Sequence, residues 1–274
     1  MRASRKPFMP NRIESRFQLL RSKNECGFIA YVTAGDPSPA ATPGIVAALE
    51  RAGVDIIELG IPFSDPLADG ATIQAAAGRA IAAGTSVPEV LAIVRQIRLT
   101  SEIPIVLFTY LNPVYVYGFE KFHAEATAAG ADGLLILDLP PDEAARNAEL
   151  AGSHGLLSIR LIAPTTPPGR MELIAKAAEG FVYYVSREGV TGEQSSLSLT
   201  ISAQVAEIRR HTALPIAVGF GISSPEQAAE VARQSDAVVV GSAIVRRIAE
   251  HAGQPDIESA VYEFTAPLVA AAKT

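Results

Sequence analysis

Apolar residues along this 274-residue chain fall into two kinds of pattern. Eight short runs are nearly unbroken: GFIAYVT (27–33), VDIIELG (54–60), IPIVLFT (103–109), DGLLILD (132–138), LLSIRLIA (156–163), FVYYVS (181–186), PIAVGFG (215–221) and DAVVVGS (236–242). A strand with one wet face alternates apolar and polar residues, whereas an unbroken run needs cover on both faces, as in a parallel sheet. Between the runs, alanine and leucine recur at helical spacing in PEVLAIVRQIR, EKFHAEATAAG, DEAARNAELAG and SPEQAAEVARQ. Gly53, Gly84, Gly130 and Gly152 stand where such helices are expected to stop. The interval between the second and third runs is long enough for two helices. Further helices are predicted at Asn11 to Ser22, before the first strand, and at Ile257 to Ala272, after the last.

Eight β-α alternations with no low-complexity linker predict a single domain over residues 1–274. An open doubly wound sheet rarely needs eight regular units, so the expected fold is an α/β (β/α)8 TIM barrel with an extra N-terminal helix and an additional C-terminal helix.

Composition narrows the function without naming it. Hydrophobic residues make up 49% of the chain, enough for a substantial core, and a net charge of -6 with pI near 5.3 leaves no basic footprint for nucleic acid or an anionic membrane. The lone Cys26 makes neither a disulfide nor a multi-thiolate metal site and reads as a small buried hydrophobe. The basic N-terminus lacks the apolar run of a secretory signal, and no stretch is long enough to span a bilayer, so a cytoplasmic protein is expected.

In such a barrel the working face lies at the C-terminal ends of the strands. After the seventh run comes GFGISSPEQ and after the eighth GSAIVRRI, each a glycine turn opening a helix. Backbone N–H groups at such turns, added to the positive end of a helix, suit a phosphate, and Gly221, Gly241 and Ser242 are its expected donors; tight turns alone are the competing reading. Glu58 interrupts the second run. A buried, unpaired carboxylate takes up a proton more readily than an exposed one, which suits an acid and base working near neutrality; an ion pair with arginine or lysine is the alternative. Asp65 and Asp69 come next on the loop, Asp65 as a solvated residue and Asp69 as either solvated or functional. SREGVTGEQ (186–194), after the sixth run, is expected to form a mobile lid, with an inert surface loop as the competing reading. Asp36 and Asp138 are candidates to cap the turn or helix next in the chain. The four histidines lack the spacing of a metal cluster, so no metal site is expected.

Together FIAYVTAGDP, IELGIPFSDPLADGATIQ, YYVSREGVTG, GFGIS and GSAIV, in this order, strongly resemble the tryptophan synthase alpha subunit family, from about Arg12 to the C-terminal helix. The resemblance implies retro-aldol cleavage of indole-3-glycerol phosphate to indole and glyceraldehyde 3-phosphate. Within it, Glu58 matches the catalytic acid/base, Asp69 the carboxylate that accepts from the indole N–H, and Tyr183 a supporting group near the reacting hydroxyl. Thr191 matches the lid residue that meets Asp69, and Gly192 joins Gly221, Gly241 and Ser242 at the phosphate. An apolar wall for the indole is expected from Tyr31, Phe108, Leu137 and Ile162, assigned by strand position, with core packing as the alternative for all four. The resemblance also implies no cofactor in this chain and a pyridoxal-phosphate beta subunit as partner in an alpha2beta2 complex, with PLADGATIQ and YLNPVYVYG as candidate contact surfaces. Two departures stand out: Ala71 where many members have proline, which would loosen the loop, and Tyr31 where phenylalanine is common. Rival readings are another phosphate-binding barrel enzyme, which calls for a strand-end lysine that these runs lack, a free-standing indole-releasing lyase, and a largely non-catalytic activating subunit.

Overall fold

The structure, a computed structural model, describes residues 11–139, 141–185 and 194–274, with backbone alone at 141–142 and 194–200. It opens with helix α1 (Arg12–Lys23), started by an Asn11–Glu14 capping box and stopped by Asn24 in the left-handed conformation. Nine parallel strands come after it among the described residues: β1 (Gly27–Thr33), β2 (Ile56–Gly60), β3 (Ile105–Thr109), β4 (Gly133–Ile136), β5 (Leu157–Ser158), β6 (Arg160–Ile162), β7 (Val182–Val185), β8 (Ile216–Gly219) and β9 (Ala237–Val240). They form one sheet in the order β5-β4-β3-β2-β1-β9-β8-β7-β6. The two edge strands are halves of the fifth predicted run. β5 pairs with β4, Ile159 N–H then donates to the Leu134 carbonyl at 3.0 Å, and β6 pairs with β7. The fifth stave thus passes from one neighbour to the other, and the eight predicted runs become the eight staves of a (β/α)8 barrel.

The helices between are α2 (Thr42–Arg51), α3 (Ala71–Ala82), α4 (Val87–Arg98), α5 (Leu111–Tyr117), α6 (Phe119–Ala129), α7 (Pro141–His154), α8 (Pro168–Ala177), α9 (Gln194–Arg209), α10 (Pro225–Ala232), α11 (Ser242–Glu250) and α12 (Ile257–Ala272). The second interval holds α3 and α4, as its length predicts. The third also holds two: YLNPVYVYG winds into α5, and Gly118, at φ 96°, turns the chain into α6. Gly53, Gly84 and Gly130 take positive φ just beyond their helices, but Gly152 lies inside α7. That helix runs one turn further and stops at Gly155 (φ 80°), around which Leu156 N–H closes back on the Ala151 carbonyl at 2.9 Å.

Alternation along each strand sorts the core into two layers. Ile29, Ile56, Val106, Leu135, Phe181 and Val239 fill the lumen in one cluster, while Ala30, Ile57, Leu107, Leu134, Val182 and Val238 pack outward against the helices in another. Helix α1 covers the N-terminal mouth, with Ile13 fully buried and Phe17 tilted against Phe181 at 5.7 Å between ring centres. At this mouth four acids just ahead of the even staves reach back to the preceding stave. Asp55 accepts from Phe28 N–H (2.8 Å), Asp132 from Ile105 N–H (2.8 Å), Glu179 from Ser158 N–H (2.9 Å) and Asp236 from Ile216 N–H (2.8 Å). Each acid's own N–H donates to the carbonyl of the residue that its side chain holds, at 2.8–2.9 Å. The barrel is therefore clasped in pairs of staves at the end opposite its expected working face.

Candidate active site

Strand β2 places its one charged residue by pleat alone. Ile56 belongs to the lumen cluster and Ile57 and Leu59 to the outer one, so the period of two turns Glu58 inward. It stands in register with Tyr31 of β1 and Val106 of β3 and is fully buried. Neither carboxylate oxygen has a hydrogen-bond partner among the described residues, so the alternative of an ion pair is not what these residues build. With no opposing cation, burial alone acts on the acid and pushes its pKa up to about 8.

Glycine at the strand ends makes room for two phenols beside it. A methyl group on Gly60 would strike the hydroxyl end of Tyr31, and one on Gly219 would lie 2.6 Å from the Tyr183 hydroxyl. Tyr31 and Tyr183 are buried, and their pKa values are pushed up, first by burial and then by the nearby charges of Asp69 and Glu58. Both phenols therefore stay protonated through the neutral range and can donate. Tyr31 meets the Phe108 ring edge-on, with 5.2 Å between centres, and its hydroxyl lies 3.5 Å from Thr33 Oγ1. Leu137 continues the apolar wall from the end of β4. Ile162 does not. It packs in the outer cluster against the helices, and its neighbour Leu161 joins the lumen side, because the strand pleat sets Leu157, Ile159 and Leu161 inward.

The two loop aspartates differ as the residues around them differ. Asp65 is exposed and accepts from Ser64 Oγ at 2.6 Å. Asp69 is half-buried, and Tyr110, the residue that starts α5, donates its hydroxyl to Asp69 Oδ2 at 3.0 Å. The same hydroxyl accepts from Ala68 N–H at 3.0 Å, and its ring lies 5.3 Å from Phe63. Gln74 Nε2 fastens the loop by donating to the Asp69 carbonyl at 2.9 Å. Ala71 is the first residue of α3, a position whose N–H needs no partner within the helix, so alanine and proline both fit there.

On the far side of the mouth, Gly221 takes φ 64° with open space where a side chain would stand. Gly241 is the N-cap of α11 and makes no side-chain cap, Ser242 is its first residue, and a methyl on Gly241 would come within 3.3 Å of Tyr31 Cβ. The Gly241 turn and Glu58 thus meet across Tyr31. Thr191 and Gly192, and the expected lid over 186–193, lie outside the described residues.

Asp36 does not cap the turn next to it in the chain, and the cap that Asp138 makes among the described residues is on a helix elsewhere; residue 140, ahead of α7, lies outside the described residues. Asp36 is buried in a two-pronged ion pair with Arg79 of α3 (2.7 and 2.8 Å). Asp138 accepts from Leu111 N–H at 2.6 Å and so caps α5, which begins from the neighbouring stave. Tyr110 carries no mark in the pattern of apolar runs; its position as the residue after the third run, at a stave's working end, is the signal that would single it out.

Among the described residues no group of three or more His, Cys, Asp or Glu side chains is placed to hold a metal ion, and no single helix is long and apolar enough to cross a membrane. Cys26 is half-buried with its pKa pushed up to about 12, first by burial, which keeps the thiol protonated. A cavity of about 340 Å³ adjoins it at the opposite mouth, between α1 and the starts of the last staves. It holds no unpaired buried acid and is walled by Arg21, Glu25, Arg233 and Asp236.

Fold and site together define a (β/α)8-barrel enzyme with a fully buried lumen carboxylate that holds its proton near neutrality. A family model for the tryptophan synthase alpha chain matches residues 17–273, and the chain belongs to that family. The tryptophan synthase alpha chain of Solibacter usitatus is 51% identical over 257 residues, covering 94% of this chain and 96% of its own. That of Geobacter sulfurreducens is 50% identical over 236 residues, covering 86% and 89%. In three dimensions the chain resembles tryptophan synthase subunit alpha from Legionella pneumophila, with a TM-score of 0.89 at 39% identity over 96% of this chain and 98% of that one.

Proposed function

We infer that this chain cleaves indole-3-glycerol phosphate to indole and glyceraldehyde 3-phosphate in tryptophan biosynthesis. The observation that carries the reading is Glu58: a fully buried acid with both oxygens unpartnered among the described residues and its pKa near 8. At neutral pH it enters the cycle protonated. Its proton goes to indole C3, and the ring nitrogen takes up the positive charge. The bond from C3 to the glycerol carbon then breaks, its electrons restore the aromatic ring, and the hydroxyl on that carbon gives up its proton as the aldehyde forms. Glu58, now a carboxylate, takes that proton back, so the acid is regenerated with no net gain or loss.

Asp69 accepts from the indole N–H and so favours the charged ring. Tyr183, buried and protonated, orients the reacting hydroxyl. Phe108, Leu137 and Tyr31 supply the apolar wall, and N–H groups at Gly221, Gly241 and Ser242 hold the phosphate at the start of α11. The protonated ring is itself the electron sink, so this chain needs no metal or organic cofactor. Indole is apolar and escapes easily, which favours direct transfer to a tryptophan synthase beta subunit carrying pyridoxal phosphate, in an alpha2beta2 complex in the cytoplasm. Leu67, Tyr115 and Val116 support that pairing, since they are 89%, 71% and 76% exposed around the mouth, large apolar groups that gain from being covered.

The test is indole release from indole-3-glycerol phosphate by the purified chain, with and without a beta subunit. Glu58→Gln should lower turnover by roughly 100- to 10,000-fold, the range for losing a general acid, while leaving glyceraldehyde 3-phosphate affinity unchanged. Wild-type turnover in that variant would remove Glu58 from the mechanism.

A further inference from the structure

We propose that Tyr110 is a positioning residue that aims the Asp69 carboxylate at the substrate's ring nitrogen; this rests on the assignment of Asp69 as acceptor of that N–H. Two observations support it. First, the phenol is held at several points before it meets the acid. Its ring packs on Phe63, its residue is 5% exposed, and its backbone starts α5, whose first N–H is capped by Asp138. Second, its hydroxyl is used in both senses: it accepts from Ala68 N–H and donates to Asp69 Oδ2, each at 3.0 Å. The accepted bond polarises the donated one, so the pair holds the carboxylate more firmly than a lone phenol would.

The hydroxyl also joins two loops. It ties residues 68 and 69, which come after β2, to the end of β3, so the distance from Asp69 to the lumen is set by strands rather than by the loop's own stiffness. Asp65, four residues earlier, shows the contrast: it is exposed, and it accepts from the adjacent Ser64. Burial raises the Tyr110 pKa, with the Asp69 charge acting in the same direction, so the phenol remains a donor throughout the range in which Glu58 titrates.

A group that works only through Asp69 must lose its effect when Asp69 is gone. Tyr110→Phe keeps the ring and its packing on Phe63 and removes one oxygen. Its kcat/KM for indole-3-glycerol phosphate should fall roughly 10- to 100-fold, the usual effect of losing a hydrogen bond to a charged group. Affinity for glyceraldehyde 3-phosphate, read by titration, should not change. In the decisive comparison, Asp69→Ala and the double variant Asp69→Ala/Tyr110→Phe should have equal kcat/KM. Losses that multiply in the double variant, or wild-type kcat/KM in Tyr110→Phe, would overturn the proposal. Wild-type activity in Asp69→Ala would instead overturn the assignment of Asp69 itself. A melting curve for each variant reports folding separately, and a drop in activity that tracks the unfolded fraction alone counts against positioning.

Discussion

Burial of Glu58 ties its chemistry to a cost in stability. In the unfolded chain the acid titrates near 4.5, whereas in the fold it keeps its proton up to about pH 8. Stability from this group is therefore complete below pH 4.5, falls as pH rises, and is fully lost above pH 8, by roughly 5 kcal/mol in all from the two values. Glu58→Gln, which has nothing to ionise, should flatten that slope. In urea titrations the variant should gain on the parent steadily from pH 5 to pH 8 and hold its advantage above, and equal slopes for the two proteins would show that Glu58 does not titrate as its surroundings require. At this scale the sequence announced Glu58, because one acid in an apolar run has few places to go. It was less direct about Ile162: the polar Ser158 and Arg160 of LLSIRLIA mark the face that Ile162 shares, yet the run alone does not say which face turns to the lumen. Tyr110 was silent for another reason. Its partner Asp69 lies 41 residues away, and a hydrogen bond between two loops has no period to detect.

The elements obey a division between their two ends. At the start of the even staves, acids clasp neighbouring strands; at the opposite end of the barrel, Gly60 and Gly219 leave room for the Tyr31 and Tyr183 phenols. The clasp around Asp132 is the most heavily built of the four. It takes Ile105 N–H and Arg98 at 2.8 Å and Arg12 at 3.0 Å, and Arg98 also holds the carbonyls of Gly130, Ser101 and Ile103. Asp132→Ala would leave a backbone N–H and a largely buried guanidinium unpaired, so a loss of about 3–5 kcal/mol is expected from urea denaturation, against less than about 0.5 kcal/mol for Asp65→Ala. A small effect at Asp132 would mean that the ladder alone holds the staves. Three of these acids were visible in the runs VDIIELG, DGLLILD and DAVVVGS, each with aspartate ahead of the apolar stretch. Their role was not legible, because each holds a residue 20 to 27 positions earlier, on a different stave. The first run matches β1 at both ends, and the other runs extend a residue or two beyond their strands, taking in the acids and glycines that flank the ladder.

At the scale of the whole barrel, eight covered runs determine closure, but they do not reveal where the cylinder is thinnest. That place is the fifth stave. β1 is buried along all seven residues and paired on both sides, with β2 over five positions and with β9 over four. The fifth stave instead divides its pairing, two positions to β4 and three to β7. Its outward side chains include the polar Ser158 and Arg160, and Ser158 Oγ and Arg160 Nε are buried without a partner among the described residues. Opening this seam therefore breaks few ladder bonds and brings water to groups that lack one inside, while opening the β1 side does the reverse. Ile13 of α1 lies across the seam's lower end, close enough that side chains on Gly133 or Gly180 would meet it at 3.0 and 3.4 Å. Native-state hydrogen exchange should accordingly find the amides of 157–162 the least protected in the barrel and those of 29–32 the most. Ile13→Ala, which removes the brace but touches neither strand, should speed exchange at 157–162 by roughly 30-fold or more, the scale of a 2–5 kcal/mol cavity, before it affects 29–32 to the same degree. If both segments exchange at one rate in the parent protein, the barrel opens as a unit and the split stave is as strong as its neighbours.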